Sequence, residues 1–205
     1  MNCIVFTNNE KKCRDISYVL STLNVHAYPY QHICKKAITV IEDGLTFQEN
    51  AHKKVEALAH IKDCFLLADD SGLEVDTLGG EPGIFSARYG GPSLSDDERC
   101  LFLLEKMKHH KNRTAHFRCA IAAIFPNGKR YTFHGKSSGI LSHTPIGTNG
   151  FGYDPIFIPL GYSQTYAELG PSFKKEHSHR AKALDQTVNM MKTYLSSNTF
   201  PAKPC

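Results

Sequence analysis

The stretch Cys64-Phe65-Leu66-Leu67-Ala68-Asp69-Asp70-Ser71-Gly72-Leu73-Glu74-Val75-Asp76 decides how this chain is read. Its first five residues form an apolar run, which predicts a buried strand, and Ser71-Gly72 predicts the turn that ends it. Two adjacent carboxylates, Asp69 and Asp70, then stand at the strand tip. Carboxylates fixed there can ligate a hard cation such as Mg²⁺ or take a proton from water. A plainer reading is an Asx turn, in which Asp69 only caps backbone. The surroundings of the stretch decide between the two.

On the N-terminal side, residues 3–6 predict a first strand, followed by a helix capped at Asn8 or Asn9 with Lys12, Ile16, Val19, Leu20 and Leu23 at helical spacing. A short strand is expected at 25–30. Thr46 with Glu49 forms a capping box that opens a helix over 47–62. On the C-terminal side, Ser95 with Glu98 is a second capping box, for a helix over 95–108. Residues 115–125 and 130–138 are β-like and joined by Pro126-Asn127-Gly128-Lys129, an Asn-Gly hairpin signal. A glycine-rich loop covers 147–155, and a last helix is expected over 178–195, with a tail at 196–205. The alternation predicts an α/β fold: a mixed β-sheet flanked by helices, read as one domain over 1–205.

Composition narrows the class. The 205 residues carry 41% hydrophobic and 21% charged side chains, an ordinary globular mix. No apolar run approaches the roughly 18 residues of a spanning helix, and the N-terminus turns polar too soon for a signal peptide, so a cytoplasmic location is expected. Seven scattered cysteines, without a Cys-x-x-Cys, argue against a disulfide framework or a structural zinc site. Net charge is +4, with a local basic cluster from Lys106 to Arg118. That cluster is read as a solvated helix end and strand start, not a nucleic-acid surface, because Phe117 is its one aromatic.

Four constellations carry chemistry. Thr7-Asn8-Asn9-Glu10-Lys11-Lys12 sits where a strand enters a helix, and hydroxyl, amides, helix N–H groups and lysines there suit an anion. The second is Asp69-Asp70. In Gly150-Phe151-Gly152-Tyr153-Asp154-Pro155, glycines let backbone approach a flat ligand on which Phe or Tyr could stack. Finally, Lys174-Lys175-Glu176-His177-Ser178-His179-Arg180 gathers cations at the start of the last helix. Cations are disfavoured there, so something negative should lie near. The inventory suits a nucleotide polyphosphate with Mg²⁺.

The stretches Thr7 to Lys12, Gly44-Leu45-Thr46-Phe47-Gln48-Glu49-Asn50-Ala51, Ala68 through Tyr89, Phe151-Gly152-Tyr153-Asp154-Pro155-Ile156-Phe157 and Ser178-His179-Arg180 resemble the Ham1-like inosine triphosphate pyrophosphatase family. The match runs in order from residue 7 to residue 180. The resemblance implies an elongated two-lobed sheet protein with a central nucleotide-binding cleft, a homodimer, and Mg²⁺ as cofactor. It implies hydrolysis of inosine and xanthosine triphosphates (ITP, dITP, XTP) to monophosphate and pyrophosphate. It assigns the triphosphate to Thr7, Asn8, Asn9, Glu10, Lys11 and Lys12, and makes Asp70 general base and metal ligand, with Ser71 touching substrate. Phe151, Gly152, Tyr153 and Asp154 would hold the base and sugar side, and Lys174, His179 and Arg180 the purine. Where some members carry two acids, this chain has Ile41-Glu42, leaving Glu42 as the candidate second metal ligand ahead of Asp43, with Glu49 a further candidate that its capping role already explains. Asn8 replaces a common Gly, and Asp15 stands where a Glu is frequent. Competing readings are a pyrophosphatase for modified pyrimidine nucleotides, a phosphatase with Asp69 as nucleophile, and a nucleotide- or RNA-binding protein without catalysis.

Overall fold

The structure is a computed structural model. It describes residues 1–7, 9–33 and 38–198, except the side chains of Glu10 and Lys11. Six strands are seen among them: β1 (Asn2–Phe6), β2 (His26–Pro29), β3 (Phe65–Val75), β4 (Thr114–Ile124), β5 (Arg130–Leu141) and β6 (Phe157–Pro159). The helices are α1 (Glu10–Ser21), α2 (Phe47–Glu56), α3 (Asp96–Lys106), α4 (Tyr166–His177) and α5 (His179–Ser197). The strands join in one mixed sheet, ordered β2-β1-β3-β4-β5-β6. β1 runs parallel to both β2 and β3, and β3 through β6 are antiparallel.

Local signals explain most of these elements. Ser95 and Glu98 form a complete capping box on α3. Thr46 accepts from the Glu49 N–H, but the Glu49 carboxylate reaches back to the Leu45 N–H at 2.8 Å. The Asn-Gly hairpin closes through Gly128 N–H to Phe125 C=O, at a positive φ of 80°. α2 stops at Glu56, six residues before the expected end, because Leu58 and Ala59 bond three residues back and tighten the turn. α4 and β6 were not anticipated. α4 is opened by a Thr165–Glu168 capping box and is kinked at Gly170, whose φ of 80° is non-helical, so two helical segments meet there.

The largest correction concerns the opening stretch. β3 does not end at Ser71-Gly72 but continues to Val75, with Gly72 paired to Arg118. Gly72 is needed for close approach: a Cβ there would collide with Ser86 Oγ and lie 2.5 Å from Gly83 O. Asp69 and Asp70 are therefore mid-strand, and the two-residue pleat sends them to opposite faces. Phe65 and Leu67 pack under α1 and α5 with Ile16, Leu20, Leu184 and Val188. Leu66 and Ala68 pack under α2 with Phe47, Ala51 and Val55. Farther along the first face, Leu73 and Val75 join a third apolar cluster with Leu103, Phe117, Phe157 and Tyr166. Asp69 and Ser71 interrupt the apolar side of that face, between its two clusters. β1 leaves the β3 ladder at the Phe6–Ala68 pair, so the polar segment of β3 begins where its parallel neighbour ends. Crevices at the carboxyl ends of parallel strands are the usual ligand sites of α/β sheets.

Candidate active site

A cavity of about 770 Å³ opens at this point, lined from β3 by Asp69, Asp70, Ser71 and Gly72. On the α1–α5 face, Asp69 is buried, with 2% of its surface exposed. Lys12 Nζ lies 3.0 Å from its Oδ2, and Arg180 Nε and Nη2 donate to the same oxygen at 3.3 Å. Arg180 Nη2 also donates to Ser71 Oγ at 3.1 Å. Burial disfavours the Asp69 anion, but Lys12, Arg180 and Lys54 outweigh it and hold the carboxyl well below its ordinary value. Asp69 is thus the negative partner that Arg180, at the basic start of α5, required.

On the α2 face, Lys54 Nζ lies 3.1 Å from Asp70 Oδ1 and 2.9 Å from Glu42 Oε2, and Asn50 Nδ2 donates to Asp70 Oδ2 at 3.2 Å. Burial pushes the Asp70 carboxyl above the usual carboxylate range, against the pull of Lys54 and Lys12. Burial also works against the Lys54 cation, but Asp70, Asp69 and Glu42 prevail and raise its pKa. Lys54 and Asn50 were missed in the sequence. Their signal was two polar residues four apart on the apolar stripe of Phe47, Ala51 and Val55.

The N-terminal constellation is built as a cap. Thr7 Oγ1 accepts from Asn9 N–H at 3.1 Å, and Asn9 Oδ1 accepts from Lys12 N–H at 3.1 Å. Asn8 and the side chains of Glu10 and Lys11 lie outside the described residues. Thr7, Asn9, Lys12 and Glu42 line the same cavity as Asp70.

The opposite wall comes from the glycine-rich loop and α4–α5. Asp154 Oδ2 accepts from Phe151 N–H at 2.9 Å and pairs with Lys174. Lys174 Nζ stands 4.7 Å from the Phe151 ring centroid, and the Arg180 guanidinium 6.0 Å. Burial lowers the Lys174 pKa, opposed by Asp154. Lys174 belongs to the last turn of α4, where cations are favoured, and not to the start of α5. His179 stacks on Phe117 at 4.7 Å and is kept neutral by burial and by Arg180, Lys174 and Lys12. Tyr153 turns inward: it is 4% exposed and its hydroxyl donates to Ser86 C=O at 2.9 Å. That leaves Phe151 as the half-exposed ring of the pair. Phe151, Gly152, Tyr153, Asp154, Lys174, His179 and Arg180 all line the cavity.

Three buried polar atoms of the lining residues, Asp69 Oδ1, Arg99 Nε and His179 Nδ1, have no hydrogen-bond partner among the described residues. Each such atom costs about 1–3 kcal/mol until a ligand or water meets it. The basic cluster of the sequence has intramolecular partners: Arg118 pairs with Glu74, His116 with Asp76, and Arg113 donates to the carbonyls of Leu141 and Ser142.

A central strand with two carboxylates, flanking cations and a ring-bearing loop share one cavity, a donor set of the class that suits a nucleotide polyphosphate. The Ham1 family model matches residues 3–190, and the chain belongs to that family. It is 43% identical to the dITP/XTP pyrophosphatase of Geobacter sulfurreducens, covering 88% of this chain and 92% of that one. The dITP/XTP pyrophosphatase of Leptospira interrogans is 39% identical, covering 91% and 95%. Among solved structures, the Ham1 protein of Staphylococcus aureus superposes with a TM-score of 0.83 at 36% identity, covering 96% of this chain and 99% of that one. The Coxiella burnetii HAM1 protein gives a TM-score of 0.85 at 35% identity, covering 94% and 99%.

Proposed function

We propose that the chain hydrolyses ITP, dITP and XTP between the α- and β-phosphates, releasing the monophosphate and pyrophosphate. The observation that carries this reading is the single cavity in which Lys12, Asp69, Asp70, Lys54 and Glu42 face Phe151, Lys174 and His179. The similar enzymes are named for two of these substrates, dITP and XTP, which supports the reading.

Mg²⁺ fits the donor set. Asp70 and Glu42 already converge on one cation, the Lys54 ammonium. Among the described residues no three His, Cys, Asp or Glu side chains gather into a complete cage. Mg²⁺ is commonly held by one or two carboxylates plus phosphate oxygens and water, so Asp70 and Glu42 would hold it together with the substrate. When bound, it supplies charge neutralisation at the phosphates and a more acidic water.

Asp70 acts as the base that orients and deprotonates the attacking water; its raised pKa brings its basicity closer to that task. Lys54 fixes its carboxylate, and Lys12 balances charge on the departing pyrophosphate. Thr7 and the α1 N-terminus receive the phosphate tail. Asp69 is committed to Lys12 and Arg180, which argues against a nucleophilic role. At the base end, Phe151 stacks on the purine. The neutral His179 offers one N–H, and Lys174 a cation, to a 6-oxo acceptor. Adenine's 6-amino group would face these donors unpaired. A homodimer is what the family resemblance implies, and no helix of the described residues is long and apolar enough to cross a membrane.

Product analysis across ITP, XTP, GTP and ATP, with and without Mg²⁺, tests the proposal. Pyrophosphate from ITP and XTP, with little from the other two, is expected. Orthophosphate release, or equal turnover of ATP, would overturn it.

A further inference from the structure

The first turn of α3 reads in the sequence as nothing more than a capping box, yet it reaches the cavity. Asp96 lines it, and its Oδ2 accepts from Gly152 N–H at 2.7 Å. One helical turn later, Cys100 Sγ lies 3.3 Å from Gly152 C=O, in position to donate. Both polar backbone groups of Gly152 are thus gripped by an i, i+4 pair on one helix. Burial, with the nearby carboxylates of Asp96, Asp97 and Asp154, pushes the Cys100 thiol up to about 12, so it keeps its proton.

The grip is placed between the two residues that matter for the loop. Gly152 follows Phe151, whose ring faces Lys174 and Arg180. It precedes Tyr153, which is tied to Ser86 C=O. Ser86 Oγ accepts in turn from Leu73 N–H on β3, three residues beyond Asp70. Gly152 itself is at φ 59°, where a side chain would be strained, and it offers no side chain of its own to pack. Its position is therefore set by what holds its backbone. α3 is independently braced, since Arg99 donates to the carbonyls of Tyr89, Gly91 and Leu94.

We propose that Asp96 and Cys100 are positioning residues for the aromatic wall, holding Gly152 so that Phe151 stands at stacking distance from the base. The inference rests on the proposed nucleotide reading. The phosphate end, built on α1, α2 and β3, does not depend on this grip.

Steady-state kinetics with ITP and Mg²⁺, paired with calorimetric binding of inosine monophosphate and of inorganic triphosphate, tests it. In Asp96→Ala, KM for ITP and Kd for inosine monophosphate rise about tenfold, the scale of one lost charge-assisted hydrogen bond. The kcat and the affinity for inorganic triphosphate stay at wild-type values. Asp96→Asn, whose amide oxygen still accepts, restores most of the loss. Asp97→Ala, which removes a neighbouring first-turn charge without touching Gly152, leaves KM unchanged. Cys100→Ala gives a smaller rise of about threefold and carries the test if Asp96→Ala does not fold. A KM unaltered in both Asp96→Ala and Cys100→Ala would overturn the proposal. So would a kcat loss without a KM change, an Asp96→Asn variant as impaired as Asp96→Ala, or an equal KM rise in Asp97→Ala. If the wild type does not turn over ITP at all, the proposed reaction fails, while the monophosphate-binding arm still decides the role of Asp96.

Discussion

Asp69 and Asp70 are one residue apart and live in different proteins, electrostatically speaking. On the α1–α5 face Asp69 meets Lys12 and Arg180 and stays ionised far below the ordinary carboxylate range. On the α2 face Asp70 meets Lys54 and Asn50, yet burial wins and its pKa rises. The same chemical group thus becomes a fixed structural anion on one side and a proton acceptor on the other. The pleat makes the division, because adjacent side chains in a strand cannot share a face.

The strongest test of that division is Asp69→Asn. It leaves Arg180 and Lys12 without their buried counter-charge, and stability should fall by about 3–5 kcal/mol in denaturant unfolding. Because the Asp69 pKa is depressed in the fold, its contribution is fully present above the unfolded value of about 3.9 and is lost as pH falls through the lower folded value. The gap between wild type and variant should therefore close on strong acidification. A loss below about 1 kcal/mol at neutral pH would erase the contrast.

Asp70→Asn should do the opposite. Its raised pKa means that the fold does not favour the charged form, so unfolding midpoints should hold or rise slightly. Turnover should fall about 10²-fold or more, the scale of a positioned base. Retained turnover would move the base elsewhere.

Smaller in effect, Gly72→Ala places a methyl against Ser86 and Gly83 and should cost about 1–3 kcal/mol. A neutral result would mean that β3 and the 83–88 segment can separate freely. The finest probe is pH. The acid limb of kcat/KM should lie above the ordinary Asp value of about 3.9 and move higher still in Lys54→Met, which removes the cation opposing burial at Asp70. A limb that stays put would show that Lys54 does not set the Asp70 charge.

Much of this was legible in the chain. Apolar periodicity and three local signals, the Thr46 and Ser95 caps and the Asn127-Gly128 turn, announced most elements, because each depends on residues a few positions apart. α4 was not read from the sequence: it is two short helical segments meeting at Gly170, and only the burial of Tyr166 and Ala167 in the first of them, a tertiary contact, shows that it packs. The Ser71-Gly72 signal misled for a related reason. Glycine answers to close approach as readily as to a turn, and only the neighbouring segment shows which applies.

The linear order of residues determined which groups were available: the strand with its two acids, the capped lysine turn, the glycine loop and the basic segment that opens α5. Tertiary structure decided the assignments. It sent Asp69 and Asp70 to opposite faces, brought Lys54 and Asn50 in from α2, turned Tyr153 inward and Phe151 toward the cations, and set α3 against Gly152. The physical reason is range. Caps and periodicity act within one turn of chain, whereas burial and ion pairing act between groups that meet only after the sheet has assembled.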